Sequence, residues 1–321
     1  MKLLRVENLK TYFHISEGIV KAVDDVSFSL DDGQCLGLVG ESGCGKTTTA
    51  LSINRLLPPE GIIEGGEIYL ESVKLTVLSD VEIRKHRWKD VSMVFQGAMN
   101  AMNPVMKIGE QIAEAVVWHQ QVTHQQAWNR AKELFELVEL EPGRIGGYPH
   151  EFSGGMKQRA MIAMALACDP KLVIGDEPTT ALDVMVQAQI LNLLDRLRKT
   201  LKMGLIIITH DLSILGETCD RIAVMYAGKI VEIGSTEDVY DRHMHPYTHR
   251  LLMGFPNIHR PKLMPEPIPG SPPDLIRPPS GCRFHPRCDY AQEICQEQEP
   301  GMTTAGNGHS YACHFGGAFN G

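Results

Sequence analysis

Eight residues, Gly40-Glu41-Ser42-Gly43-Cys44-Gly45-Lys46-Thr47, match the pattern G-x-x-x-x-G-K-[ST], and few short patterns restrict a fold so tightly. The pattern works only where a buried strand runs into a glycine loop and a helix leaves it. Both flanks are present. Gln34-Cys35-Leu36-Gly37-Leu38-Val39 reads as the strand, and a helix is expected from Lys46-Thr47 to about Leu57, where Pro58-Pro59 stops it. Glycines let backbone N–H groups turn inward around anionic oxygens, and the helix N-terminus adds a favourable dipole. In such a loop, running Gly40 to Thr48, Lys46 offers a point charge to outer phosphates and the Thr47 hydroxyl offers an oxygen to Mg²⁺.

The surrounding pattern is that of an α/β chain. Leu3–Val39 alternates apolar and polar residues between Gly and Asp turns, which predicts short antiparallel strands, with a hairpin region around Gly65-Gly66-Glu67. Val91–Phe95 reads as a strand, and about Gly109 to Ala167 as helical. Leu172–Ile174 and Leu205–Ile208 have the length and composition of parallel strands buried on both faces, and the helical stretch Val184–Lys202 completes a βαβ unit. The composition changes near residue 240. Nine of the nineteen prolines fall between Pro256 and Pro279, and a cysteine- and glycine-rich tail follows. The expected domains are therefore 1–240 and 241–321, and no internal repeat is visible.

Charge and hydropathy exclude several functions. With 31 basic and 39 acidic residues the balance is −8, which gives no footprint for nucleic acid. No run approaches the roughly 18 apolar residues of a membrane span, and the N-terminus lacks a signal-peptide apolar region, so any membrane role is expected to come through a partner. Cys35, Cys44, Cys168 and Cys219 are scattered in apolar or glycine-rich segments and are expected to be small buried hydrophobes in a reducing compartment.

A second acidic element sharpens the chemistry. Asp176, at the end of the Leu172–Ile174 strand, is placed to hold Mg²⁺, and Glu177 to act as general base toward water. Ser153 should N-cap a helix Gly154–Cys168, with Gly154 and Gly155 exposing N–H groups to an anion.

Taken in order, these motifs resemble the ABC ATPases over roughly residues 1–240. The resemblance implies a P-loop, RecA-like cassette with an antiparallel β subdomain and a helical subdomain at about 98–167, binding ATP and Mg²⁺. Gly175-Asp176-Glu177-Pro178-Thr179-Thr180-Ala181-Leu182-Asp183 is similar to that family's acidic strand end plus its following loop. Thr209-His210-Asp211-Leu212 resembles the switch loop, which implies that His210 contacts the γ-phosphate. Gln96 matches the glutamine that senses Mg²⁺ and water, and Tyr12 the aromatic that stacks on adenine. Ser153-Gly154-Gly155 resembles the signature that meets the γ-phosphate of a partner cassette, with Phe152 and Met156 departing from the commonest wording. The Met-rich Ala98–Ile108 segment is expected to help dock a helix of a membrane subunit.

The tail narrows the resemblance. His245-Pro246-Tyr247 and the Gly281–Cys288 segment, continuing to Cys295 and Cys313, are similar to the extension of oligopeptide/dipeptide importer ATPases, in the D-type rather than the F-type subunit. This implies an F-type partner in a heterodimer, two transmembrane permease subunits, an extracytoplasmic binding protein, and a place on the cytoplasmic face of the membrane. Relatives that carry oligosaccharides or nickel use similar motors. A soluble ABC ATPase acting on DNA or ribosomes is the rival of another class, but it would carry a coiled-coil insertion or two cassettes.

Cys282, Cys288, Cys295 and Cys313 have five, six and seventeen residues between them. Four thiolates can hold a [4Fe–4S] cluster, as the subfamily resemblance implies. Zinc or free thiols are the alternatives, and a redox-sensing role is a third reading of the chain. His285, His309 and His314 read as surface residues, and His243, His245 and His249 as surface and packing residues.

Overall fold

Long alternating strands open the fold: β1 (Lys2–Ile15) and β2 (Gly18–Asp31), each 14 residues, in the computed structural model. The structure describes residues 2–97, 101–180, 182–254, 268–306 and 308–317. Along the chain follow β3 (Cys35–Val39), α1 (Lys46–Asn54), β4 (Gly61–Leu70), β5 (Val73–Lys74), α2 (Asp80–His86) and β6 (Val91–Val94). Next come α3 (Ile108–Gln120), α4 (His124–Leu137), α5 (Gly154–Ala165), β7 (Leu172–Asp176), α6 (Val184–Leu201) and β8 (Gly204–Thr209). The remainder is β9 (Arg221–Tyr226), β10 (Lys229–Ser235), α7 (Thr236–Asp241), α8 (Pro246–Met253), α9 (Glu293–Glu297), β11 (Thr303–Gly306) and β12 (His309–Tyr311).

Two compact units divide these elements. The first holds residues 2–4, 30–35 and 70–208. In it β6, β7 and β8 run parallel, with Val91 opposite Leu172 and Leu172 opposite Gly204. Leu172, Ile174, Leu205, Ile206 and Ile207 are at most 1% exposed, the signature of a sheet covered on both faces. The α3–α5 region forms an apolar cluster of Ile112, Ala113, Val116, Ala131, Leu134 and Phe135. The departure at Phe152 is accommodated there, because its ring meets Phe135 edge-on at 6.4 Å.

The second unit holds residues 5–29, 36–69 and those described beyond 208. Here β3 runs parallel to β9, β9 antiparallel to β10, and the tail adds β12 and then β11 to the β10 edge. The part of β4 in this unit lies next to β1, and β1 next to β2. The expected hairpin at Gly65-Gly66-Glu67 is instead continuous strand β4. Gly66 is left-handed (φ 84°), and a Cβ there would lie 2.4 Å from the Asn8 carbonyl oxygen. The first helix also ends earlier than expected. Arg55 turns left-handed (φ 52°) and closes α1 at Asn54, before the prolines.

Candidate nucleotide and cysteine sites

In the second unit the loop from Gly40 to Gly45 joins β3 to α1 as the motif requires. Gly45 is the N-cap of α1 at φ 107°, and a Cβ there would meet the Ala22 carbonyl at 2.2 Å, so glycine is obligatory. Lys46 is 5% exposed and is held by the loop itself: its Nζ donates to the Gly40 oxygen at 2.6 Å and the Glu41 oxygen at 3.0 Å. Burial pushes the Cys44 thiol up, against the pull of the Lys46 ammonium. Ser42, Gly43, Thr47 and Thr48 complete the loop and the first helical turn. Ser52 Oγ donates to the Thr48 oxygen and bonds Thr11 Oγ1, which fixes α1 against β1. Tyr12 is half-buried on β1, and its hydroxyl donates to Asp24 at 2.7 Å. Burial first, then the Asp24 carboxylate, raises the Tyr12 hydroxyl well above its ordinary range. His210 follows β8 and is exposed.

The first unit carries the acidic residues. Asp176 ends β7 at 1% exposure, two residues beyond the apolar run Leu172–Ile174. Glu177 then turns left-handed (φ 46°) while its N–H donates to the Ile208 oxygen at 2.9 Å. That conformation costs a non-glycine residue about 1 kcal/mol, and here it turns the chain out of β7. Glu177 Oε2 accepts from Gln96 Nε2 and from Thr180 Oγ1, each at 2.8 Å. Three residues singled out from sequence, or adjoining those that were, therefore meet at one carboxylate. Ser153 caps α5, its hydroxyl accepting from the Met156 N–H at 3.4 Å, with Gly154 and Gly155 in the first turn. Met156 Sδ lies 3.3 Å from Arg144. Thr47 and Asp176 offer the hard oxygen donors that suit Mg²⁺.

Of the Met-rich segment, residues 98–100 lie outside those described. Met102 is 4% exposed and belongs to the core, which removes it from any docking surface, whereas Val105 is 82% exposed.

The four tail cysteines line a single cavity of about 20 Å³, together with Phe284 and His245. Burial pushes the Cys282 thiol up to about 12 and the Cys288 thiol up to about 11. Among the described residues no three Cys, His, Asp or Glu side chains stand close enough to hold a metal as placed. The donor set suits a thiolate-bound group, and loading one would need the sulfur-bearing loops to rearrange. His309 is not a surface residue: it is 4% exposed and bonds the fully buried Glu232 at 2.7 Å. His245 is 1% exposed and caps α8, and His243 bonds His249 at 2.9 Å, so packing rather than exposure describes this group.

Sequence reasoning passed over three residues that touch the phosphate loop and Asp24. The Tyr247 hydroxyl accepts from the Glu41 N–H at 2.8 Å. Arg287 pairs with the Glu41 carboxylate, and Arg283 with Asp24. The signal available was the recurrence of Arg beside Cys282 and Cys288, as the last two Lys or Arg residues of the sequence.

Comparison with known proteins fits this geometry. The family model for ABC transporters matches residues 23–180, and that for the oligopeptide/dipeptide transporter C-terminal region matches 231–295. A probable peptide ABC transporter ATP-binding protein of Sinorhizobium fredii is 46% identical, covering 97% of this chain and 94% of that one. The dipeptide transport ATP-binding protein DppD of Bacillus subtilis is 44% identical over 97% of this chain and 94% of its own. The oligopeptide transport ATP-binding protein OppD of Haemophilus influenzae is 44% identical over 97% and 96%. Among solved structures, the dimeric ATP-binding cassette MJ0796 in a post-hydrolysis state with ADP and Pi superposes with a TM-score of 0.65 at 27% identity, covering 73% of this chain and 98% of that one. The fold is therefore that of an ABC ATPase cassette, and the chain belongs to the family of ATP-binding, ATP-hydrolysing subunits of ABC importers that carry the oligopeptide/dipeptide-type C-terminal region.

Proposed function

We propose that this chain is the motor of a peptide importer, at the cytoplasmic face of a membrane, and that Glu177 is the base that activates the attacking water. The observation that carries the assignment is the aimed carboxylate: a strained backbone holds Glu177, and two neutral donors, Gln96 and Thr180, fix one of its oxygens. Neutral donors orient a carboxylate without supplying the positive charge that would weaken it as a base.

The other roles follow from residue chemistry and family position. Lys46 and the N–H groups of Gly40, Ser42, Gly43, Cys44, Gly45, Thr47 and Thr48 bind the phosphates. Tyr12 stacks on adenine, and His210 steadies the γ-phosphate. Thr47, Asp176 and Gln96 would hold or sense Mg²⁺, which supplies charge neutralisation for phosphoryl transfer when bound. Ser153, Gly154 and Gly155 serve the ATP of a partner cassette; the exposed Ser153 capping α5 supports this. An F-type chain in a heterodimer is the partner we favour, with two permease subunits engaging the 101–108 segment beside Gln96 and a binding protein delivering peptide. Residues 1–240 are the motor and 241–321 its extension. Cys282, Cys288, Cys295 and Cys313, which line one cavity, are the residues that would hold a [4Fe–4S] cluster after rearranging from where they stand here, and its role would be stabilisation of the tail.

The test is Glu177→Gln in the assembled complex. Nucleotide binding should be unchanged while kcat falls by about 10² to 10⁴, the span of general-base contributions. Hydrolysis at the wild-type rate would remove Glu177 from the base role.

A further inference from the structure

We infer that Arg287 and Arg283, which flank the cysteine loop of the tail, are positioning residues for the nucleotide: Arg287 sets the phosphate loop through Glu41, and Arg283 sets Tyr12 through Asp24.

The two arginines stand four positions apart, at the two ends of the Cys282–Cys288 segment, and both are buried. Arg287 forms a two-pronged pair, Nη1 to Glu41 Oε2 at 2.6 Å and Nη2 to Glu41 Oε1 at 3.0 Å. Its Nε donates to the Pro269 oxygen at 2.6 Å, and the guanidinium lies 5.7 Å from the centroid of the Tyr226 ring. Glu41 is the first residue after Gly40 in the loop. Its carboxylate is held by Arg287, its N–H by Tyr247, and its carbonyl accepts from Lys46. A residue fixed at all three polar groups has little freedom, so the carbonyl that orients the Lys46 ammonium inherits the position of Arg287. Planar two-pronged pairing is the geometry in which arginine is not replaced by lysine without loss.

The second arm is built from the same segment. Arg283 is 8% exposed, donates to the Ala227 oxygen and pairs with Asp24. Asp24 uses its other oxygen to accept from Tyr12. Tyr226, Tyr247 and Phe284, all at most 1% exposed and with centroids 4.6 to 5.3 Å apart, form the rigid packing between the two arms. The arms serve different parts of a nucleotide: phosphate for Arg287 and base for Arg283. The second arm rests on the reading of Tyr12 as the adenine platform.

The experiment is equilibrium binding of ATP and GTP to the full chain, with Arg287→Gln, Arg287→Lys, Arg283→Gln, Tyr12→Phe and Tyr12→Ala. Arg287→Gln should weaken ATP and GTP by the same factor, about tenfold for one lost charge-assisted pair, and Arg287→Lys should recover part of it. Arg283→Gln and Tyr12→Phe should weaken ATP by a few-fold and shrink its advantage over GTP, because each frees the ring without removing it. Thermal unfolding without nucleotide separates folding loss from these effects, since a merely structural role would not split phosphate from base. Should Arg283→Gln not fold, Tyr12→Phe tests the same arm from its other end. If Tyr12→Ala leaves ATP binding unchanged, the adenine reading fails while the Arg287 arm stands. If Tyr12→Ala weakens ATP but Arg283→Gln and Tyr12→Phe leave both the affinity and the ATP preference intact, the Arg283 arm is overturned. Unchanged affinity for both nucleotides in Arg287→Gln overturns the other.

Discussion

Gln96 shows how much a single side chain can decide. It stands just after β6, and the hydrogen bond that its side-chain amide donates to Glu177 spans 81 positions in sequence. Replacing it by alanine removes one donor from that oxygen but leaves Thr180 in place. The expected outcome is a kcat lower by about fivefold with KM for ATP little changed, since an orienting bond is worth about 1 kcal/mol and acts on the base rather than on the nucleotide. Steady-state ATPase of the assembled complex measures both. A fall in affinity with kcat intact would assign Gln96 to binding instead. The positions of Glu177 and Gln96 just past strand ends were legible in sequence because each follows an apolar strand. The left-handed backbone at Glu177 was not, because no residue preference marks a non-glycine position with φ near 46°.

Among the elements, the strand–loop–helix around Lys46 was read almost completely, and the reason is steric. Gly45 must be glycine both for its conformation and for the Ala22 carbonyl 2.2 Å from a would-be Cβ. Gly43 is left-handed too (φ 80°), yet nothing lies within 4 Å of a Cβ there. Gly45→Ala should therefore abolish ATP binding with a clear loss of thermal stability. Gly43→Ala should cost only the backbone penalty of about 1 kcal/mol and fold normally. Differential scanning calorimetry with and without ATP distinguishes the two, and equal destabilisation would refute the steric account. The reading was less successful for β4 and the end of α1. Gly65-Gly66 looks like a hairpin turn unless the Asn8 backbone passing beneath it is known, and Arg55 closes α1 in a conformation that the nearby prolines mask. Tertiary contact overrides local preference in both places.

For the molecule as a whole, the composition break near residue 240 suggested a separate appendage, and packing has made it part of the phosphate-loop unit. The tail's β12 pairs with β10, placing Tyr311 opposite Glu232, and Phe284 packs into the Tyr226–Tyr247 cluster. Such partnerships join residues more than thirty positions apart and leave no periodic trace in either segment. A chain ended at residue 254 would lose them together. Asp24 and Glu41 would lose their guanidinium partners, Glu232 its His309, and the β10 edge would lie open to other strands. A partner lost from the half-buried Asp24 and Glu41 and from the buried Glu232 costs on the order of 1–3 kcal/mol each, and typical domains hold only about 5–15 kcal/mol in reserve. The shortened chain is thus expected to aggregate or to melt far below the full one, with ATP unable to restore it. Sedimentation and thermal unfolding of the two purified chains measure this. A soluble 1–254 chain that melts and binds ATP like the parent would show that the tail is mounted on the cassette without supporting it.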